Sequence, residues 1–171
     1  MTELFEFELT FAVPENSFDV ELLSDAVFEA GVGDALVGTG CVGQLGVEIK
    51  MSGDDAEVVI VNAVRSLLQR LPENSRLHEI KPDLVSLADV ADKLGVKRQS
   101  LQQRKMPIPV SGGLYRVDEV YMCLLDACEK KSSQRAPRFQ IKTAQGWFMA
   151  GQAARKLNAK MTIGELDPMS W

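Results

Sequence analysis

Histidine occurs once in the 171 residues, at His78, and cysteine three times, at Cys41, Cys123 and Cys128. A single imidazole leaves little for general-base or nucleophilic chemistry. The cysteines are odd in number and form no C-x-x-C pair, so they supply neither a disulfide framework nor a zinc-type ligand set and read as free, buried thiols. A phosphate-cradling glycine loop is also missing. GVGDALVG (31–38) lacks the third glycine at dinucleotide spacing and leads into a strand, and the pair Asp54-Asp55 sits where a helix N-terminus would use it. No catalytic residue, metal ligand or cofactor is therefore assigned. No stretch approaches the roughly 20 apolar residues of a bilayer span, and MTELFEFELT lacks the basic-then-apolar order of a secretory signal. The expectation is a cytoplasmic chain with no membrane contact.

Charge is present but unevenly placed. The net charge of −5 divides into 5 basic against 16 acidic residues over 1–83, and 14 basic against 8 acidic over 84–171. An acidic half joined to a basic half suggests two modules with different partners, the basic one suited to phosphates and the acidic one to assembly or a protein partner.

The acidic half reads as alternating strands and helices. In residues 4–12, Phe5, Phe7, Leu9 and Phe11 fall on one face of a strand and Glu6, Glu8 and Thr10 on the other. A helix starts near Ser17 or Asp19, carries Leu22, Leu23, Ala26 and Val27, and ends at Gly31. Residues 35–51 suggest a hairpin turning between Gly38 and Gly43. A second helix from about Asp54 presents Val61, Val64, Leu68 and Leu71, and residues 76–80 suit a last strand. This βαββαβ order matches a ferredoxin-like α+β domain over residues 1–81. The fold assigns no activity by itself, and either self-association or small-ligand sensing is compatible with it.

After the linker KPD (81–83), LVSLADVADKLGVKRQSLQQRK places Ser86 and Asp89 to cap a helix with Leu87, Val90, Ala91 and Leu94 on one face. Gly95 permits the positive φ of a sharp turn, Val96 fills the corner, and Leu101 returns a second helix onto the first. These are the requirements of a helix-turn-helix. The second helix presents Lys97, Arg98, Gln99, Ser100, Gln102, Gln103 and Arg104 with no acid among them. Arginine and glutamine pair bidentately with guanine and adenine, serine with base or phosphate, and lysine with the backbone, so Arg98, Gln99 and Gln102 are the expected base readers. Pro107 and Pro109 stop the helix, residues 110–116 suit a tight hairpin, and a helix from Asp118 repeats Val120, Leu124 and Cys128 on one face.

Taken together, LADVADKLGVKRQSLQQ and MPIPVSGGLYRVDEV resemble the winged helix-turn-helix of MerR and excisionase proteins over about residues 84–130. That resemblance implies a recognition helix in the major groove of double-stranded DNA, with Lys97, Arg98, Gln99, Ser100 and Gln102 as its contacts and Tyr115 and Arg116 in the wing. FEAGVGDALVG is similar to the acidic N-terminal part of small bacterial proteins that place a ferredoxin-like fold before such a module. The long dimerisation helix and effector cysteines of MerR regulators are absent, so metal sensing is not implied.

Residues 131–171 hold a basic stretch, suited to a phosphate-contacting arm or a solvated linker, and then a helix presenting Trp147, Phe148, Ala150, Ala154 and Leu157 for internal, dimer or partner packing. The expectation is a sequence-specific transcription regulator, acting as a dimeric repressor or a higher homo-oligomer. The alternative is an antitoxin or a phage or plasmid interaction protein whose acidic domain holds a protein partner.

Overall fold

The computed structural model describes residues 2–129 and 139–171; most of the basic stretch 130–142, read as an arm, lies outside the described residues, while at its end Phe139 is buried and Ile141–Ala144 form a short 3-10 helix. The chain is a mixed α+β protein built around an antiparallel sheet. Strand β1 (Glu3–Ala12) buries Phe5, Phe7, Leu9 and Phe11 on one side, as its alternation requires. It pairs with β3 (Gln44–Gly53) on one edge and β4 (Arg76–Lys81) on the other, and β2 (Asp34–Cys41) flanks β3, giving the order β2-β3-β1-β4. The hairpin turns between Cys41 and Gln44, where Gly43 takes the positive φ of 87°.

Two helices share the inner core with this sheet. Helix α1 (Val20–Ala30) is capped by the Asp19 side chain, which accepts from the Leu22 amide at 3.1 Å, and stops at left-handed Gly31. Helix α2 (Ala56–Leu68) is capped in the same way by Asp55, accepting from Val58 at 3.0 Å. It buries Val59, Ile60, Ala63, Val64 and Leu67. Of the expected stripe of Val61, Val64, Leu68 and Leu71, Val64 and Leu71 are buried. Val61 and Leu68 lie at the margin of the core, because a helix packed between two neighbours buries a wider arc than one stripe.

A second, smaller core follows. The short strands β5 (Leu84–Val85) and β6 (Tyr115–Arg116) pair antiparallel around α3 (Leu87–Leu94), α4 (Arg98–Gln102) and α5 (Val117–Glu129). Helix α5 turns Val117, Val120, Tyr121 and Leu124 inward. Cys128, expected on that face, is exposed, as is Cys41 beside the β2–β3 turn, while Cys123 is half-buried. The reading of the cysteines as buried thiols thus fails for Cys41 and Cys128, which sit at a hairpin corner and on an outward helix face, and holds only in part for Cys123. Burial, with a smaller contribution from the Glu3 carboxylate, pushes the Tyr121 phenol above its ordinary value. The ring therefore stays neutral where it stacks on Phe148, with centroids 4.8 Å apart.

Helix α6 (Gln145–Thr162) belongs to both cores. Ala150, Ala153, Ala154 and Leu157 pack with the sheet and α2, whereas Trp147 and Phe148 join α3 and α5. Small residues permit this approach. A Cβ on Gly146 would overlap the Leu4 carbonyl oxygen of β1, and one on Gly151 would meet Val117 at 2.7 Å and Pro82 at 3.1 Å. Farther along, Arg155 ion-pairs Asp83 at 2.5 Å and Asp118 at 2.9 Å, joining the inter-core linker to α5. Asn158 receives the Ile80 amide at 3.0 Å and donates to the Ile80 carbonyl at 2.8 Å and to Asp83 at 2.8 Å. Its amide thus satisfies backbone groups that β4 leaves unpaired on that side.

Because the Leu4 carbonyl cannot yield without shifting β1, Gly146→Ala is expected to destabilise the fold by at least about 1–3 kcal/mol, the usual range for overpacking. Chemical denaturation of the variant beside Ala150→Gly, which relieves rather than crowds the same seam, checks the assignment.

Candidate functional site

The α3–α4 unit begins with a reciprocal cap. The Ser86 hydroxyl oxygen accepts from the Asp89 amide at 3.1 Å, and the Asp89 carboxylate accepts from the Ser86 amide at 3.0 Å. Two otherwise unmatched donors are satisfied, so an eight-residue helix starts at a defined place. At its end Gly95 has φ 68°, and the Val96 amide donates to the Ala91 carbonyl at 3.0 Å. The chain therefore leaves α3 sharply. Leu87, Val90, Ala91 and Leu94 are buried, and Leu101 of α4 is fully enclosed among them.

Helix α4 is shorter than the sequence suggested. It spans five residues and closes with the Arg104 amide on the Leu101 carbonyl at 3.0 Å, an i to i−3 bond that tightens the last turn ahead of Pro107 and Pro109. Lys97 lies at its N-cap and Gln103 at its C-cap. Lys97, Arg98, Gln99, Ser100, Gln102 and Gln103 are all exposed, and none has an ion pair or side-chain hydrogen bond among the described residues. The α3 acids Asp89 and Asp92 line a different surface, a cleft facing the sheet. The segment 97–105 thus exposes Lys97, Arg98 and Lys105 and contains no acidic residue.

The remaining sequence-predicted residues stand apart from that set. Arg104 is half-buried with its guanidinium 5.5 Å from the Phe139 ring, a cation–π contact that holds it inward. Tyr115 is half-buried against the second core, and Arg116 ion-pairs Glu119 at 3.0 Å. Both lie in the strand pair with β5, behind the tip of the 110–114 hairpin rather than on it. At that tip the Val110 amide donates to the Leu114 carbonyl at 2.8 Å and Gly113 takes φ 75°. Sequence reasoning passed over Ile108, which is 86% exposed between two prolines just beyond α4. An apolar side chain held outward by Pro107 and Pro109 was the available signal. The Cys123 thiol tethers the start of this loop by donating to the Lys105 carbonyl at 3.0 Å.

Compared with protein-family models, with curated proteins and with solved structures, the chain matches none. Among the described residues no helix is long and apolar enough to cross a membrane.

The burial of Leu101 and the exposure of its neighbours give opposite expectations for substitution. Leu101→Ala should cost about 2–5 kcal/mol as a core cavity, whereas Gln102→Ala should stay within about 0.5 kcal/mol of the parent. Thermal unfolding of the two variants reads the difference, and equal effects would contradict the packing described.

Proposed function

We propose that this chain is a DNA-binding transcription regulator in which α3 and α4 form a helix-turn-helix and α4 reads the major groove of double-stranded DNA. The observation that carries this reading is the set of exposed Lys97, Arg98, Gln99, Ser100, Gln102 and Gln103, unpartnered among the described residues, on a helix anchored from behind by Leu101. Arg98, Gln99 and Gln102 have the donors and acceptors to pair with base edges, while Lys97 and Lys105 neutralise phosphates. The 110–114 hairpin serves as the wing of a MerR or excisionase-type module, and Arg116 reaches phosphate only by leaving Glu119. The N-terminal half is a ferredoxin-like βαββαβ domain; the order β2-β3-β1-β4, with helices after β1 and β3, supports that reading.

A five-residue recognition helix covers few base pairs. Specific regulation therefore calls for a homodimer or higher homo-oligomer that presents two such helices to half-sites about one helical turn apart, in the cytoplasm and as a repressor. A second reading, in which the acidic domain holds a basic protein partner as an antitoxin would, is favoured by Phe28, 87% exposed on α1, the helix that also carries Asp25 and Glu29.

The test is binding to genomic fragments from around the chain's own gene over a range of salt. Affinity should fall steeply with salt, Lys97→Ala should lower the slope of log K against log salt by about 1, and Arg98→Ala or Gln99→Ala should each cost about 1–3 kcal/mol at particular base positions. Salt-insensitive binding, no binding to any fragment, or unchanged binding by an Arg98→Ala/Gln102→Ala double variant would overturn the reading.

A further inference from the structure

We propose that the open edge of β2 is a contact between two copies of this chain, which pair their β2 strands antiparallel about a two-fold axis and so join their sheets into one. The two edges of the sheet, β4 and β2, are finished differently. At the β4 edge Asn158 takes both the amide and the carbonyl of Ile80, and the Leu77 amide donates to the Pro168 carbonyl at 2.8 Å. Helix α6 and the C-terminal residues therefore close that side. At the other edge Asp34–Cys41 bonds to β3, and among the described residues no hydrogen bond reaches its free side.

Unpaired strand groups template pairing with another chain unless charge, proline or a bulge blocks them. Residues 35–43 contain neither a charged residue nor a proline. The ladder with β3 runs regularly from Asp34 to Gly38, and its irregularity falls beyond, between Gly38 and Cys41. Asp34–Gly38 is thus a straight, open stretch.

That stretch fits a second copy of itself. A two-fold axis through Leu36 sets this residue opposite its own counterpart, Ala35 opposite Val37, and Asp34 opposite Gly38. Leu36 is 70% exposed, and side chains directly opposed on paired strands come within about 5.5 Å at Cβ, so the two leucines cover each other. Ala35 and Val37 are half-buried at the margin of the inner core, and the pairing completes their burial. Asp34 meets a glycine rather than its like, and Lys50 already lies opposite it on β3.

Each chain offers one open edge. Pairing consumes both and leaves only the closed β4 sides outward, so assembly stops at two instead of growing into a series. An extended peptide from another protein would draw its specificity from side-chain pockets beside the edge, whereas a second copy needs only the strand itself. The contact supplies a surface for the homodimer proposed above, and only its bearing on DNA, two α3–α4 units carried on one sheet, rests on that reading. Assembly is measured without DNA, so loss of the dimer and loss of DNA binding are separate results.

The test is sedimentation equilibrium of the full chain over a dilution series. The expected result is a monomer–dimer equilibrium that Leu36→Asp shifts at least about tenfold towards monomer, since the introduced carboxylates oppose each other, whereas Phe28→Asp, an equal charge change on exposed α1, leaves it unchanged. In a Cys41→Ser/Cys128→Ser background, Leu36→Cys should give a disulfide-linked dimer on mild oxidation and Phe28→Cys should not, although Phe28 is the more exposed of the two. A monomer at every concentration, a dimer that Leu36→Asp leaves intact, species larger than the dimer, or equal cross-linking of the two cysteine variants would overturn the proposal.

Discussion

The close seating of α6 on β1 and β4 is the contact on which the rest of the structure depends. Gly146 brings the helix axis to the strand backbone, the alanines at 150, 153 and 154 keep it there, and Leu157 completes the inner core. The same helix passes Trp147 and Phe148 into the second core and uses Arg155 to hold both Asp83 and Asp118. Arg155 and Asp83 are mostly buried, so each charge would be costly if left alone and the pairing fixes geometry more than it adds stability. The linker between the cores is therefore clamped, and α3 and α4 have a defined orientation to the sheet.

That clamp gives the acidic and basic halves a physical relation. The negative charge of residues 1–83 does not spread evenly around the molecule, because part of it, through Glu6, Glu8, Asp34 and Glu48, faces the cleft. Helix α3 divides its own surface similarly: Asp89 and Asp92 look towards the cleft, while the turn at Gly95 leads into α4, whose segment 97–105 contains no acidic residue. An overall acidic chain thus contains a locally basic segment, and at ionic strengths where the screening length is about 10 Å the distant acids of the N-terminal half are largely screened from it.

Local signals made much of this legible. Alternation in β1, the caps at Asp19 and Ser86, and glycines at 31 and 95 mark element ends because each acts within one turn of chain. The apolar stripes of α2 and α5 were read too narrowly, because periodicity registers one contact face, whereas Val59 and Tyr121 are buried as well; on α5 only Cys128 falls outside the buried face. The exposed residues of α4 could be read from the position of Leu101, but not the inward turn of Arg104, since Phe139 lies 35 positions away. The double role of α6 was likewise hidden: small residues show that something comes close, not what. The cleft was invisible for the same reason, being made by a sheet face and a helix whose separation no local pattern encodes.

If α6 joins the two cores as described, they should open as one unit. Native-state hydrogen exchange across a denaturant series tests this most directly by comparing the slowest amides of β1 and α2 with those of α3 and α5. The expected result is convergence of both sets on a single opening free energy before global unfolding. Separate opening of α3 and α5 at a distinctly lower free energy, with the sheet and α6 still protected, would contradict it.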